Sequence, residues 1–345
     1  MIARFALAEG APCPTLVLDR TRLSGDEHEL RAELAVIRRQ LREVDAAHVL
    51  KLALVAPSRH PMFDLDYRFV QCLPGGDDRF EFRGSCGHSI LAAVVAEAGR
   101  TVSLVPGGRV RVRVLNNGDH VVCEPDEAGS GSFTVHFVQS PQTPLARLLL
   151  TGNATDTLAV GPRSYESSLV SMGNPYVFVD ARSLGLTSQE QLFGAGDEVF
   201  ARMAAIRNSA AELLGWPVDG TFPKIALVGA YHPGRLAVRA ISVPSWHPTL
   251  ALTGTTCLGA AVSVEGSVPY RLARAAGCDQ GRVEVDTPGG TTSVTSLVTA
   301  DDAGEANLHW VSVGRKRAYQ LGDLTLRLGG GREREESPAW LPASL

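Results

Sequence analysis

The chain has 345 residues, of which 44% are hydrophobic and 20% are charged, and its formal net charge is −4. This length predicts two domains of roughly 150–180 residues each. The weakly acidic balance argues against a nucleic-acid-binding surface, and no apolar run approaches the ~20 residues that span a membrane, so we expect a cytoplasmic protein that binds neither.

The cysteines and histidines show none of the spacings that bind metals. Six cysteines are scattered without CxxC pairs, and nine histidines form neither HExxH nor His-x-His. In a cytosolic chain of this size, the pattern favours neither a disulfide framework nor a zinc site. No GxGxxG follows a predicted strand. We therefore expect no metal and no organic cofactor.

The N-terminal half alternates short predicted strands with two predicted helices. An amphipathic stretch at 27–44 and an apolar stretch at 89–98 have the pattern of helices, and the second ends before Gly99. Short alternating apolar runs broken by Gly, Pro and Asp predict strands. The predicted strands are 15–18, 51–56, 67–72, 109–116, 120–124 and 132–139.

Lysine is unusually scarce in this chain. Only Lys51, Lys224 and Lys316 occur among 33 lysines and arginines. Lys51 lies in the apolar run 48–55, which distinguishes it from a surface cation. Burial disfavours the charged form of lysine, so a lysine in such a run can act as a base near neutral pH.

The segment 83–89, Arg-Gly-Ser-Cys-Gly-His-Ser, is the most informative in the chain. A strand-like run feeds this glycine-bracketed turn, and the turn opens the predicted helix. Cys86 therefore lies at a helix N-terminus, where backbone N–H groups and the helix dipole favour a thiolate. Such a cysteine can transfer protons or act as a nucleophile. The alternative, a small buried cysteine that only packs, stays open.

The C-terminal half repeats this order of elements. Its predicted strands are 176–180, 225–228, 236–241, 282–285, 292–299 and 306–313, and its predicted helices are 188–193, 197–214 and 258–264. The segment 254–257, Gly-Thr-Thr-Cys, followed by small residues, parallels 84–87. This predicts an internal repeat with Cys86 and Cys257 facing a cleft between two domains, 1–155 and 156–345.

Two helix-terminal thiols across a pseudo-symmetric cleft resemble the diaminopimelate epimerase-like fold, and within it the chain is similar to the PrpF-like isomerases over most of its length. Six segments resemble family motifs in the same order. They are 51–61, 64–71, 84–87, 172–180, 253–257 and 312–317.

The resemblance implies an α+β fold of two pseudo-symmetric domains, each a β-barrel-like sheet around a central helix. It also implies a cofactor-independent isomerase that removes a proton from an unsaturated di- or tricarboxylate, such as an aconitate or methylaconitate, and returns one at another carbon or face. The family's acid/base lysine and cysteine correspond to Lys51 and Cys86.

Substrate carboxylates are expected at the two helix N-termini, whose N–H groups are free to donate. The residues expected to contact substrate are Ser85, Gly87, His88, Asn174, Thr255, Thr256 and Arg315. Local structure offers alternatives for several of them. Asn174 can instead form a Gly-Asn-Pro turn, and His88 can instead form hydrogen bonds with the first turn of its helix. Arg315 can be an ordinary surface arginine. Cys257 is either a second acid/base or a small residue that only packs at a helix start.

The stretches 8–14 and 285–290 depart from the family's recognition motifs, and the first of them lacks its arginine. The scaffold and the acid/base pair are thus expected to be retained. One interpretation is an aconitate-type isomerase whose loops have diverged, and the other, which we favour, is an isomerase that acts on another substrate. Two further hypotheses are racemisation of an amino acid by Cys86 and Cys257, and a catalytically silent accessory or binding homologue. Assembly into a homodimer also stays open.

Overall fold

The computed structural model describes residues 1–127, 129–242 and 245–328. The end of the second predicted domain, 329–345, lies outside these ranges. No helix in the described ranges is long and apolar enough to cross a membrane.

The elements of the N-terminal half largely follow the predicted pattern. Its strands are β1 (Ile2–Ala8), β2 (Thr15–Asp19), β3 (Lys51–Pro57), β4 (Leu65–Cys72), β5 (Phe80–Glu81), β6 (Val110–Val114), β7 (His120–Pro125) and β8 (Ser132–Pro144), and its α-helices are α1 (Glu27–Glu43) and α2 (Gly87–Ala96). The helix α1 begins where the Asp26 side chain accepts a hydrogen bond from the Glu29 N–H group, a normal N-cap. The strand β1 was missed by sequence analysis.

The elements of the C-terminal half are more numerous than predicted. Its strands are β9 (Asp156–Val160), β10 (Arg163–Met172), β11 (Asn174–Asp180), β12 (Lys224–His232), β13 (Arg235–Ser242), β14 (Ser245–Trp246), β15 (Arg282–Thr287), β16 (Gly290–Ala300) and β17 (Ala306–Thr325). Its α-helices are α3 (Gln189–Phe193), α4 (Asp197–Leu213), α5 (Leu252–Ala261) and α6 (Val268–Ala275). The elements β9, β10 and α6 were missed.

The two halves repeat one topology, as the sequence predicted. In the first half, β2 pairs in parallel with β3 across α1, β3 pairs antiparallel with β4, and β4 pairs in parallel with β6 across α2. In the second half, β11 pairs in parallel with β12 across α4, β12 antiparallel with β13, and β13 in parallel with β15 across α5. Both halves therefore wrap their strands around one central helix.

The central helices α2 and α5 are buried along their whole length, because their residues are small or apolar on every face. Their first turns meet: a Cβ atom at Gly87 would lie 2.7–2.8 Å from side-chain atoms of Leu252. Glycine at position 87 therefore allows the two helix starts to approach closely, which brings both N-termini to one place.

The start of α5 differs from the prediction. The helix begins at Leu252, six residues before the predicted start at 258. Residues 253–256, Thr-Gly-Thr-Thr, are poor helix formers and have the composition of a turn. Here their burial in the core outweighs that local preference.

The last strand belongs to both halves. The strand β17 pairs with β16 and β8 through its first part and with β1 through residues 318–325. All seventeen strands are thereby joined in one continuous sheet. The division of the chain at residue 155 stays a prediction.

Candidate active site

A cavity lies where the N-termini of α2 and α5 meet, and we call it the cleft cavity. It is lined by Pro12, Lys51, Phe69, Gln71, Glu81, Gly84, Ser85, Cys86, Asn174, Tyr176, Thr221, Phe222, Lys224, Ala240, Ile241, Ser242, His247, Ala251 and Thr253. Both halves of the fold contribute to it, as expected for a site in a cleft between repeats.

Lys51 enters the cleft cavity from the start of β3. It pairs with Thr15 of β2 on one side and with Gln71 of β4 on the other, so its backbone is held in the middle of the sheet. The residue is 7% exposed. Its position confirms the sequence prediction of a buried lysine on a strand.

Cys86 occupies the N-cap position of α2 and is partly exposed to the cavity. Burial alone would raise the pKa of its thiol, but the Lys51 charge and hydrogen bonds from Ser89 outweigh burial, and the pKa is lowered. The Ser89 hydroxyl is itself fixed by Thr15, 2.8 Å away. The arrangement favours a thiolate paired with the Lys51 ammonium.

Asn174 joins the two halves at the rim of the cavity. Its side-chain amide donates to the Ser85 carbonyl at 2.8 Å and to the Thr253 hydroxyl at 3.1 Å, and it accepts from the Ser85 N–H group at 3.2 Å. Both amide hydrogens are therefore used within the protein. Asn174 lines the cleft cavity, but these hydrogen bonds hold it to the Ser85 turn, and its predicted contact with a substrate carboxylate stays a prediction.

His88 is buried behind the cavity and does not line it. It is 1% exposed, and its ring stacks on that of His247 at a centroid distance of 6.0 Å. Burial and the Lys316 and Lys51 charges hold the pKa of His88 well below its usual value, so the ring is neutral. The predicted substrate contact at His88 is thus not supported.

Ser85 lines the cavity as predicted, whereas Gly87 lies at the contact between α2 and Leu252 of α5.

Cys257 does not lie at a helix start, and that prediction is wrong. Because α5 begins at Leu252, Cys257 falls inside the helix, where it is fully buried and its thiol donates to the Val170 carbonyl at 3.3 Å. Burial raises the pKa of this thiol to about 12. The residue that caps α5 and faces the cleft cavity is Ala251.

The three other predicted binding residues lie elsewhere. Thr256 is fully buried, and its hydroxyl donates to the Leu252 carbonyl within α5. Thr255 and Arg315 line a neighbouring cavity, which also contains Glu9, Gly10, Thr249, Leu250, Val285, Thr287, Gly289, Gly290, Thr291, Thr292, Lys316 and Arg317. The Arg315 guanidinium is already paired with the Glu284 carboxylate at 2.8 Å. None of these three residues lines the cleft cavity, and their predicted contact with a substrate stays a prediction.

Sequence analysis missed Lys224 and Tyr176, which reach the cleft cavity from β12 and β11. The available signal was the scarcity of lysine, since Lys224 opens an apolar run just as Lys51 does. The described residues contain no group of His, Cys, Asp and Glu side chains that could hold a metal ion.

A solved structure shares this fold. The crystal structure of a methylitaconate-delta-isomerase matches with a TM-score of 0.68 at 21% identity, over 98% of this chain and 99% of that one. This confirms the expected α+β fold, the diaminopimelate epimerase-like fold.

A family model described as PrpF protein matches residues 45–318, and the chain belongs to this family and is an isomerase. The putative isomerase YraM of Bacillus subtilis (strain 168) is 29% identical over 264 residues, which are 65% of this chain and 71% of that protein. The 3-methylitaconate isomerase of Eubacterium barkeri is 26% identical over 293 residues, 72% of this chain and 76% of that protein.

Proposed function

We propose that this isomerase moves a proton, and with it a C=C bond, within an unsaturated di- or tricarboxylate, with Cys86 and Lys51 as the acid/base pair and no cofactor. The observation that carries the proposal is the thiolate-favouring position of Cys86 at the start of α2, beside the buried Lys51. Methylitaconate, the substrate named for the Eubacterium barkeri relative, is an unsaturated dicarboxylate.

The first step is removal of an allylic proton by the Cys86 thiolate. The electron pair of the broken C–H bond moves into the adjacent C=C bond and its carboxylate, which gives a dienolate. Such a proton is weakly acidic, so the reaction needs a positioned base together with donors near the carboxylate oxygens that gain charge. The starts of α2 and α5 both reach the cleft cavity, through Cys86 and Ala251, and a helix start has N–H groups without a partner inside the helix.

The second step returns a proton from the Lys51 ammonium to a different carbon of the dienolate. The Cys86 thiol then passes its proton to the neutral Lys51 amine, which restores the starting thiolate and ammonium. No electron or group leaves the substrate, so the cycle balances without an oxidant or a co-reactant. The reverse reaction uses the same two groups with their roles exchanged.

We further propose that the substrate differs from aconitate. The two segments that depart from the family motifs, 8–14 and 285–290, come together in the structure, where Glu9, Gly10, Val285 and Thr287 line the neighbouring cavity. The departures from the family motifs are thus grouped around the neighbouring cavity, while Lys51 and Cys86 are retained. This supports a change in the substrate that is recognised, with the same proton-transfer chemistry. The silent-homologue hypothesis does not account for a lysine and a thiolate-favouring cysteine in one cavity.

The racemase hypothesis needs a second cavity thiol. The α5 cap is Ala251, and the Cys257 thiol is engaged with the Val170 carbonyl inside the core. A mechanism in which two cysteines remove and return the proton therefore has only one of them, Cys86, at the cleft cavity.

The test is proton NMR in D₂O with cis- and trans-aconitate, 2-methylaconitate, itaconate-type acids and oxalomesaconate. We expect deuterium to enter an allylic position of one of these acids with the wild-type protein and to be lost in Lys51→Ala and Cys86→Ser. Each missing acid or base should cost ~10²–10⁴-fold in rate. Exchange that survives both substitutions would refute the assigned pair, and no exchange with any acid would refute the proposed substrate class.

A further inference from the structure

Lys224 is the counterpart of Lys51 in the second half of the fold. Each lysine is the first residue of a strand that follows a long helix, and each strand pairs in parallel with the strand before that helix. Lys51 lies opposite Thr15, and Lys224 lies opposite Tyr176. The repeat therefore delivers one lysine to the cleft cavity from each side, and both line it.

The counterpart of Cys86 is missing, because the N-cap of α5 is Ala251. Lys51 has a thiol beside it with which to exchange a proton, and Lys224 has none on its own half. The proton-transfer cycle described above also needs no third acid or base. Lys224 is thus a cationic group of the cavity that the chemistry leaves unused.

None of the ion pairs among the described residues involves the Lys224 ammonium. The acidic residue that lines the cleft cavity is Glu81, and it is occupied by Arg83 through contacts of 2.9 and 3.1 Å. Burial and the charges of Arg207 and Lys51 lower the pKa of Lys224 to about 8, because they outweigh the opposing effect of the negative charges on Cys86 and Glu81. A bound anion would relieve this unfavourable environment of the ammonium.

The loop before Lys224 is rigidly held by Arg207 of α4. The buried Arg207 guanidinium donates to the carbonyls of Phe222 and Pro223 at 3.0 Å, and also to those of Val218 and Gly220. Fixed in this way, the loop presents Thr221 and Phe222 to the cleft cavity beside Lys224.

Two hydroxyl groups complete this side of the cavity. The Thr221 side chain on the Lys224 loop and the Ser85 side chain across the cavity both have buried oxygens with no hydrogen-bond partner in the part of the chain that the structure describes. Buried polar groups are normally paired, so these hydroxyls have the character of groups that a ligand would satisfy.

We propose that the Lys224 ammonium binds a carboxylate of the substrate, with the Thr221 hydroxyl as a neighbouring donor, and so holds the end of the molecule that takes up charge in the dienolate. This inference rests on the proposed function, because it assigns a carboxylate to the same cavity. In this proposal the first half of the fold transfers protons, and the second half binds the carboxylate. An ammonium fixed at that position also stabilises the dienolate more than the substrate.

The test measures equilibrium binding by titration calorimetry, using the acid of the NMR panel that exchanges fastest, with itaconate if none exchanges. Lys224→Met should weaken binding by ~10–100-fold, the range expected when a charge-assisted hydrogen bond is lost. The monomethyl esters of the same acid supply the charge-specific readout. Wild type should prefer the free acid to one of its esters by a similar factor, and Lys224→Met should lose that preference.

Three further variants serve as controls. Lys224→Arg keeps the charge and should recover most of the affinity. Arg239→Met removes a partly buried cation of β13 that lines neither cavity and should change binding less than about threefold, which separates the loss of the Lys224 charge from a general cost of removing a cation. Lys51→Ala should bind the acid while losing turnover. Thermal unfolding of each variant identifies any that is misfolded.

The outcomes separate the two proposals. If wild type binds and isomerises the acid while Lys224→Met binds it equally well and still discriminates against the ester, the Lys224 assignment is wrong and the proposed function stands. If Lys224→Met keeps its affinity but loses turnover, Lys224 transfers protons, and the assignment as a carboxylate ligand is also wrong. If wild type neither binds nor exchanges any acid, the proposed function itself is refuted.

Discussion

The starts of α2 and α5 occupy equivalent positions in the two halves, yet their chemistry differs. The cap of α2 is Cys86, whose thiol faces the cleft cavity, and the cap of α5 is Ala251, which offers no titratable group. The strands beside them are more alike, since each begins with a lysine, Lys51 or Lys224. The comparison teaches that a repeated fold can keep its geometry while only one copy places a thiol beside its lysine at the cleft cavity.

The largest expected effect is the difference in turnover between variants of Cys86 and of Cys257, which the sequence pattern predicted to be equivalent. Cys86→Ala should reduce turnover by ~10²–10⁴-fold, because it removes the group that takes the substrate proton. Cys257→Ala should leave turnover within a few-fold of wild type, because its thiol is buried in the core and turned away from the cavity. Steady-state rates of both variants check this contrast. Equal losses would restore the two-cysteine mechanism.

The second prediction concerns the ionisation of the same two thiols. The pKa of Cys86 is lowered by Lys51 and Ser89, whereas burial raises that of Cys257 to about 12. Iodoacetamide should therefore alkylate Cys86 below the usual thiol pKa, more slowly as the pH falls and the thiolate is protonated, and should spare Cys257 throughout. Peptide mapping of the alkylated protein measures both rates.

The Lys51→Ala variant sharpens this comparison. Without the ammonium, burial dominates the environment of Cys86, and its alkylation profile should move to higher pH. A profile that does not move would mean that the thiolate depends on the helix start and Ser89 alone. The Cys257 profile should be the same in both proteins.

The smallest effect tests the contact between the two helix starts. Gly87→Ala places a Cβ atom within 2.7–2.8 Å of Leu252, so the helix starts must separate. We expect a loss of about 1–3 kcal/mol in the free energy of unfolding, typical of overpacking in a core. Gly25→Ala adds a Cβ atom at a glycine without a positive φ and with nothing within 4 Å, so it controls for the change from glycine to alanine alone. Chemical denaturation compares the two, and equal losses would mean that the contact is unimportant.

The internal repeat and the candidate site residues of the first half could be predicted from the sequence. Lys51 and Cys86 were identifiable because each has a local signal: a rare lysine in an apolar run, and a cysteine between glycines before a helix. The alignment of the two halves was wrong by six residues at α5, because it matched Cys86 with Cys257 by residue type. The true start of α5 depends on burial by distant strands, which the Thr-Gly-Thr-Thr run does not reveal.

The remaining differences from the sequence prediction have a similar physical origin. Arg315 and Thr255 lie close along the chain to expected site elements, but the fold directs them into the neighbouring cavity. Asn174 has the composition of a turn residue and of a carboxylate ligand, and only the structure shows the three hydrogen bonds that hold it to the protein. Lys224 was missed because the repeat was aligned by its cysteines instead of its strands.

The strand β17 has a consequence for how the molecule folds. Because it pairs with β16 and β8 through one part and with β1 through the other, unfolding of either half would strip the other half of backbone hydrogen-bond partners. Exposed strand edges of that kind are unfavourable and prone to aggregate. The two halves should therefore gain and lose their structure cooperatively, so the cleft exists only as a property of the whole chain.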